Sequence, residues 1–386
     1  MKQPALLSDR TLPTWIRGLA ILLMAIGTFL VAIISGPDQG IQGFSLLGFL
    51  GRDLIYVAAA LGALWFGRRV SRQFLARTLP LVTLLVFILV LAVLVPHVGT
   101  SINGARRWFV MGPLQFQPSE LLKLVVCLGL PLTLVDGRFG FFRRVHPVVA
   151  WLVALGGAGL VVLEPDMGTG AIIVFISLAI VWVWGMERRW LQIMGIISVA
   201  GAGLSFAISP YQFWRLADIY IKSRCNPVDN CYQTNQSKIA LGSGGIIGPG
   251  PGHIRSAWGF LPNANTDFIF SVVGEAFGYV GTAAIILLYI ALVFCAVRAS
   301  IGARDEASKY IALGIATWFA METAVNVASC LGLFAVTGIP LPLMSYGGTA
   351  LVVNMAAIGI LVNIAEHKGI STISMAKSLK PRSGRS

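Results

Sequence analysis

The chain has 386 residues, 56% of them hydrophobic and only 12% charged, with a mean hydropathy of +0.80. Soluble domains carry about a quarter charged residues, so a soluble globular fold is excluded and a polytopic membrane protein is implied. The net charge of +13 does not point to nucleic acid, because the Lys and Arg residues cluster between apolar runs, as in cytoplasmic loops.

Apolar runs near the ~20 residues needed to cross a bilayer recur along the whole chain. They predict an all-α integral membrane fold of about ten transmembrane helices, near 15–35, 53–67, 78–95, 118–135, 147–163, 168–185, 190–208, 267–297, 309–331 and 348–365. The first run lacks a small-residue cleavage site after it and is read as a retained helix. A single membrane domain (15–365) then follows a cytoplasmic segment (1–14) and precedes a basic tail (366–386), expected to be disordered and close to anionic lipid. With the N-terminus inside, every inner segment carries Lys or Arg, and both termini are cytoplasmic.

Four segments fall on the outer side: 96–117, 164–167, the long loop 209–266 between helices seven and eight, and 336–347. Arg106, Arg107, Lys123, Arg215, Lys222, Arg224, Lys238 and Arg255 lie in or beside them, against the inside rule. An anionic ligand reached from the outer leaflet is one reason for such placement. No internal repeat is visible, which weakens a reading as an inverted-repeat transporter.

The outer segments also hold the residues suited to chemistry. Gln117, Pro118, Ser119 and Glu120 read as a helix start, with Glu120 and Lys123 on one face. They are either a capping carboxylate and a snorkelling lysine, or a pair facing a wet cavity. Each charge at the bilayer centre costs about 2.5–3.5 kcal/mol, whereas an exposed helical pair returns about 0.2–0.5 kcal/mol. Arg106, Arg107 and Trp108 suit phosphate oxygens and a lipid or sugar face, or else an interfacial anchor. Glu164, Pro165 and Asp166 form a short turn with two acids. Residues 235–275 are rich in Gly and Pro but lack the spacing of a phosphate-binding loop, so nucleotide binding is rejected. Asp267 sits where that stretch becomes helix, with Asn265 or Thr266 available as cap; alone it would be read as an acid complementing the helix dipole. Glu275, Glu322 and Asn326 lie within apolar runs and serve either function or interhelical hydrogen bonding. Residues 337–348, with Ser345 and Tyr346, read as a rigid re-entrant stretch.

Cys127, Cys295 and Cys330 lie in apolar runs and are read as packing residues. Cys225 and Cys231 sit six positions apart in the long loop, where a disulfide is expected if the loop is outside the cell. No Cys or His grouping marks a structural metal site.

The stretches GARRWF, FQPSELLK, EPDMGTG, YQTNQSKIALGSGGIIG, LPNANTDFIFSVVGE and VTGIPLPLMSYGG, in this order, resemble the SEDS family (shape, elongation, division and sporulation). The stretches QSKIALGSGG and WGFLPNANTDF resemble the division branch, FtsW, more than the elongation branch, RodA. The resemblance implies a ten-helix polymerase of peptidoglycan glycan strands in the bacterial inner membrane. Its substrate would be lipid II, and its partners a class B penicillin-binding protein transpeptidase and other division proteins. It implies dependence on a divalent cation, Mg or Mn, and no organic cofactor. The essential acid of the family's TDFIF motif falls on Asp267, and the family's glutamate and lysine on Glu120 and Lys123. Gln117, Glu120, Lys123, Lys238, Ser243, Arg255, Ser345 and Tyr346 join Arg106, Arg107 and Trp108 as expected substrate-binding residues. Asn265 stands where the family usually has His, Ala276 where a second acid follows Glu275, Ala257 where a basic residue is usual, and Glu322 where a glutamine is usual. A lipid II flippase or a non-catalytic scaffold of the division complex are the rival readings.

Overall fold

The computed structural model describes residues 11–42, 46–102, 105–112, 114–139, 142–143, 145–208, 213–214, 217, 221, 226 and 231–367. Arg215, Lys222, Arg224, Cys225 and almost all of the basic tail lie outside them. Eleven helices of twelve residues or more order the described chain: α1 Leu12–Gln42, α2 Leu46–Arg69, α3 Arg72–Leu94, α4 Pro118–Asp136, α5 Pro147–Leu163, α6 Met167–Trp184, α7 Arg188–Ile208, α8 Tyr232–Ser243, α9 Ile269–Ile301, α10 Glu306–Cys330 and α11 Gly348–Glu366.

Eight of these are long and apolar enough to cross a membrane. Ten were expected. α5, with 17 residues, and α2, which carries Arg52, Asp53, Arg68 and Arg69, are not among the eight. α4 is the most enclosed of the eight spans, packing against α3, α5, α6 and α10. Its Pro118 occupies the first turn, where no N–H is needed, and Gly137 closes it in the left-handed conformation. α7 is peripheral, and most of its apolar surface faces outward, as a lipid-facing helix requires.

At one end of the bundle, charged pairs join helix termini. Arg72 bridges Asp136 (2.7 Å) and Asp305 (3.0 Å), and Arg68 pairs with Glu366 (2.9 Å). The opposite end carries the irregular segments. Residues 96–117, read from the sequence only as an outer segment, contain a three-stranded antiparallel sheet, β1 Thr100–Ile102, β2 Ala105–Met111 and β3 Leu114–Phe116. Alternation over only seven residues is too short a signal to separate from loop in the sequence. A further short hairpin pairs β4 Arg138–Phe139 with β5 Phe142–Arg143.

The expected long loop is also more ordered than its composition suggests. It contains α8 and two 3₁₀ turns, Pro251–His253 and Arg255–Trp258. Its glycines meet a break in α9, where Gly278 leaves the helical region at φ 63°. The loop fills that break with backbone bonds from Gly250 N–H to the Ala276 carbonyl (2.9 Å), Tyr279 N–H to Gly245 (2.9 Å) and Val280 N–H to Ile246 (3.0 Å). A Cβ at Gly244 would lie 1.9 Å from the Gly274 carbonyl oxygen, and one at Gly248 2.3 Å from that of Ala276. The glycine content therefore serves close backbone approach, which also satisfies the polar groups freed by the break.

Candidate functional site

β2 carries Arg107 to the turn between α5 and α6. Its Nε donates to the Glu164 carbonyl (3.1 Å), its Nη2 donates to the Pro165 carbonyl, and its Nη1 lies 3.7 Å from Asp166 Oδ2. Asp166 is buried and caps α6, accepting from the Thr169 amide (3.1 Å) and hydroxyl (3.0 Å), and it also accepts from Gln117 Nε2 (3.4 Å). The acidic turn is thus a cradle that fixes one guanidinium.

Glu164 is fully buried beside Ser119. Burial, reinforced by the neighbouring Asp166 charge, pushes its carboxyl up to about 9 although Arg107 opposes the shift.

Asp267 enters from the turn before α9. The amides of Thr266, Asp267 and Phe268 all donate to the Asn263 carbonyl, at 3.1–3.2 Å, and Asn263 adopts φ 57°. Neither Asn265 nor Thr266 caps α9 as expected. Phe268 holds the cap position without a side-chain bond, because the turn satisfies these amides with a backbone carbonyl instead. The segment 336–347 straps this turn down. Ser345 Oγ accepts from the Leu341 amide (2.8 Å) and donates to the Thr266 carbonyl, and the Tyr346 amide donates to the Asn265 carbonyl (2.8 Å). Gly338 marks the meeting point. The position a Cβ would take there lies 3.6 Å from Arg107 Nη1 and 3.9 Å from Asp267 Oδ2. A partly buried carboxylate and a cradled guanidinium therefore face one small space.

Glu120 and Lys123 share a face, as the spacing predicts, but that face is closed. Lys123 is 1% exposed, and its Nζ donates to Glu120 (2.9 Å) and to Glu322 of α10. It also lies over the Trp318 ring at 5.0 Å. Lys123 is thus held inside the helix packing and not presented to a ligand.

The remaining expected residues are dispersed. Arg106 alternates to the opposite side of β2 from Arg107, and Trp108 lies 5.9 Å from the Arg107 guanidinium. Gln117 donates to Ser119 Oγ (3.0 Å) as well as to Asp166. Lys238 is exposed and lies beside Gly332, just past the end of α10, where a cation complements the helix dipole. Ser243 is exposed and bonds its own helix at the Ala240 carbonyl. The Arg255 amide donates to Glu275 Oε1 (2.8 Å), and Ser256 donates to Oε2, so Glu275 anchors the loop from inside α9. The Tyr346 ring lies under Arg52, 5.3 Å from its guanidinium carbon, and burial pushes the phenol up to about 12. Cys231 is disulfide-bonded, while Cys127, Cys295 and Cys330 are free thiols.

Sequence reasoning passed over Arg52 and gave Asn326 no specific role. The signal for both was a polar side chain within an apolar run. Among the described residues, no three His, Cys, Asp or Glu side chains converge on one point. Arg107 already neutralises Asp166 and faces Asp267, so these residues do not fit a protein-held divalent cation.

Apolar helices around an acid–guanidinium site at one end of the bundle define a multi-pass membrane protein with a polar site at the membrane boundary. The chain belongs to the FtsW/RodA/SpoVE family of cell cycle proteins, whose family model matches residues 13–370. It is 30% identical to stage V sporulation protein E of Bacillus subtilis, covering 90% of this chain and 95% of that protein. It is 32% identical to the probable peptidoglycan glycosyltransferase FtsW of Coxiella burnetii, covering 91% and 95%. Among solved structures, it resembles a chain of a peptidoglycan synthase complex that coordinates polymerization and crosslinking, with TM-score 0.72, 27% identity and coverage of 92% and 97%. It also resembles the rod shape determining protein RodA of Thermus thermophilus, with TM-score 0.65, 26% identity and coverage of 92% and 96%.

Proposed function

We propose that this protein is a peptidoglycan glycosyltransferase that polymerises lipid II in cell division. It would sit in the bacterial inner membrane with both termini in the cytoplasm and act with a class B penicillin-binding protein. The names of its relatives support the reaction, and the peptidoglycan synthase complex supports the partner. The observation that carries the reading is Asp267 facing Arg107 across Gly338.

In this reading Asp267 is the general base. It takes the proton of the acceptor sugar's 4-hydroxyl as that oxygen bonds to the donor's anomeric carbon. The bond from that carbon to the diphosphate breaks, and the electron pair leaves with the diphosphate. A diphosphate is a stable anion, so its departure needs positive charge more than a proton. Arg107 supplies that charge from a fixed position, with Arg106 and Arg255 near the same end of the bundle. Lys123 does not, because its charge is spent on Glu120 and Glu322. A Mg or Mn ion, where the reaction uses one, would be carried largely by substrate oxygens.

Purified Asp267→Asn protein, assayed with lipid II and the transpeptidase partner, should form no detectable glycan, since one positioned base contributes about 10²–10⁴-fold. Wild-type-like polymer from that variant would overturn the assignment. A flippase would move lipid without polymer, and a scaffold would do neither.

A further inference from the structure

We infer that Asn326 is a positioning residue for Asp267, aiming its carboxylate at the space shared with Arg107. This rests on the general-base reading of Asp267.

Asn326 lies on α10 and is 2% exposed. Its Nδ2 donates one hydrogen to the Asp267 carbonyl (2.8 Å) and the other to the Ile339 carbonyl (2.9 Å). One amide thus joins three separate pieces of chain: α10, the turn that carries the acid, and the strap that covers it. The Asp267 amide is already held by Asn263 (3.1 Å). With the backbone bonded on both sides of its Cα, the residue has little freedom to rotate, and the Cα–Cβ direction is set. The Cys330 thiol, one turn further along α10, reaches the same carbonyl at 3.7 Å.

Ile339 is next to Gly338, the residue that separates Asp267 Oδ2 from Arg107 Nη1. The second bond of Asn326 therefore sets the width of the gap, while the first sets the direction of the acid. One turn back on the same face of α10, Glu322 holds Lys123 of α4. That ion pair fixes the height of α10 against the most enclosed helix, so Asn326 is presented at one level. Ser345 bonds the turn at Thr266, from within the strap itself.

The geometry separates positioning from mere support. Ser329 lies on the same helix, is also buried, and donates to the Ala335 carbonyl (2.9 Å) immediately before the strap. Ser329→Ala removes a comparable buried bond and serves as the control. Asn326→Asp keeps the shape of the side chain but sets an oxygen against both carbonyls. Asn326→Ser keeps a single donor.

The test uses the full chain, purified with its transpeptidase partner and lipid II, with kcat, KM and thermal unfolding measured for each variant. Asn326→Asp and Asn326→Ala are expected to lose about 10–100-fold in kcat at unchanged KM, the loss a small misplacement of a catalytic group produces. Asn326→Ser should fall between them and wild type, and it stands in if the larger changes do not fold. Ser329→Ala should lower the unfolding temperature without lowering kcat. Wild-type kcat in Asn326→Asp, with Asp267→Asn inactive, overturns the positioning role alone. Equal loss of kcat in Ser329→Ala also overturns it, because support of the strap would then explain the effect. Activity in Asp267→Asn removes the base, and the positioning role falls with it.

Discussion

Two clusters of acids and bases stand close to α4, and they have opposite fates. In one, Glu120, Lys123 and Glu322 are each 1–2% exposed and bonded to one another across α4 and α10. In the other, Arg107 is fixed by the 164–166 turn and turns Nη1 to a partly buried Asp267. Each sets one cation among carboxylates. What differs is whether a partner helix closes over the charge. A closed ion pair has spent its field on its own members, and its value is in holding helices at one register. A guanidinium held by a backbone cradle and Asp166 is already ordered toward the space it shares with Asp267, so it loses little entropy when a ligand arrives.

Lys123→Met probes the closed cluster and should give the largest effect. Two carboxylates would be left buried without their ammonium, and breaking a buried pair costs about 3–5 kcal/mol. Thermal unfolding should show the loss, while the surviving folded fraction keeps most of its turnover. A variant that stays fully stable but inactive would move Lys123 into the catalytic group. Arg107→Ala probes the open cluster, with losses of about 10²–10³ in kcat, as for other groups aimed at developing charge. Arg107→Lys should recover little, because a point charge cannot bond both carbonyls of the cradle.

Glu164 gives a pH signature. Its folded carboxyl stands near 9 against an ordinary 4.5, so the folded state holds the proton more tightly than the unfolded chain. Its contribution is fully present below the ordinary carboxyl range and is lost as the pH rises through about 9. The unfolding temperature should fall across that window in wild type and fall less in Glu164→Gln. An identical slope in both would show that Glu164 does not carry it. The smallest effect is expected at the far end of the bundle. Arg72→Ala breaks pairs whose side chains are 31–42% exposed, so about 1 kcal/mol or less is expected, and less in high salt.

Much of this molecule was readable in the one-dimensional pattern. The bounds of α4, α5 and α6 fall within a residue of those expected from the apolar runs, with Pro118 read as the start of α4. Asp267 stood out because an acid at a loop–helix junction, after a glycine-rich stretch, is unusual. The sheet of 100–116 was not readable, since its strands are three to seven residues long and partly exposed. The glycines of 244–250 were visible as glycines, but their reason, a broken helix thirty residues further on, was not.

Composition and the length of apolar runs by themselves determined a helical membrane protein with its polar residues gathered between the runs, because hydrophobic burial is additive along the chain and local. The inside rule marked Arg107 and Lys123 as charges out of place, and the loop–helix junction marked Asp267. Only the tertiary structure decided that Lys123 is closed between two carboxylates while Arg107 and Asp267 face one space. Glu322 closes over Lys123 from 199 residues away, and the Asp267 carbonyl finds Asn326 across 59. A charge's environment is set by whichever helix packs against it, and no local pattern records that neighbour.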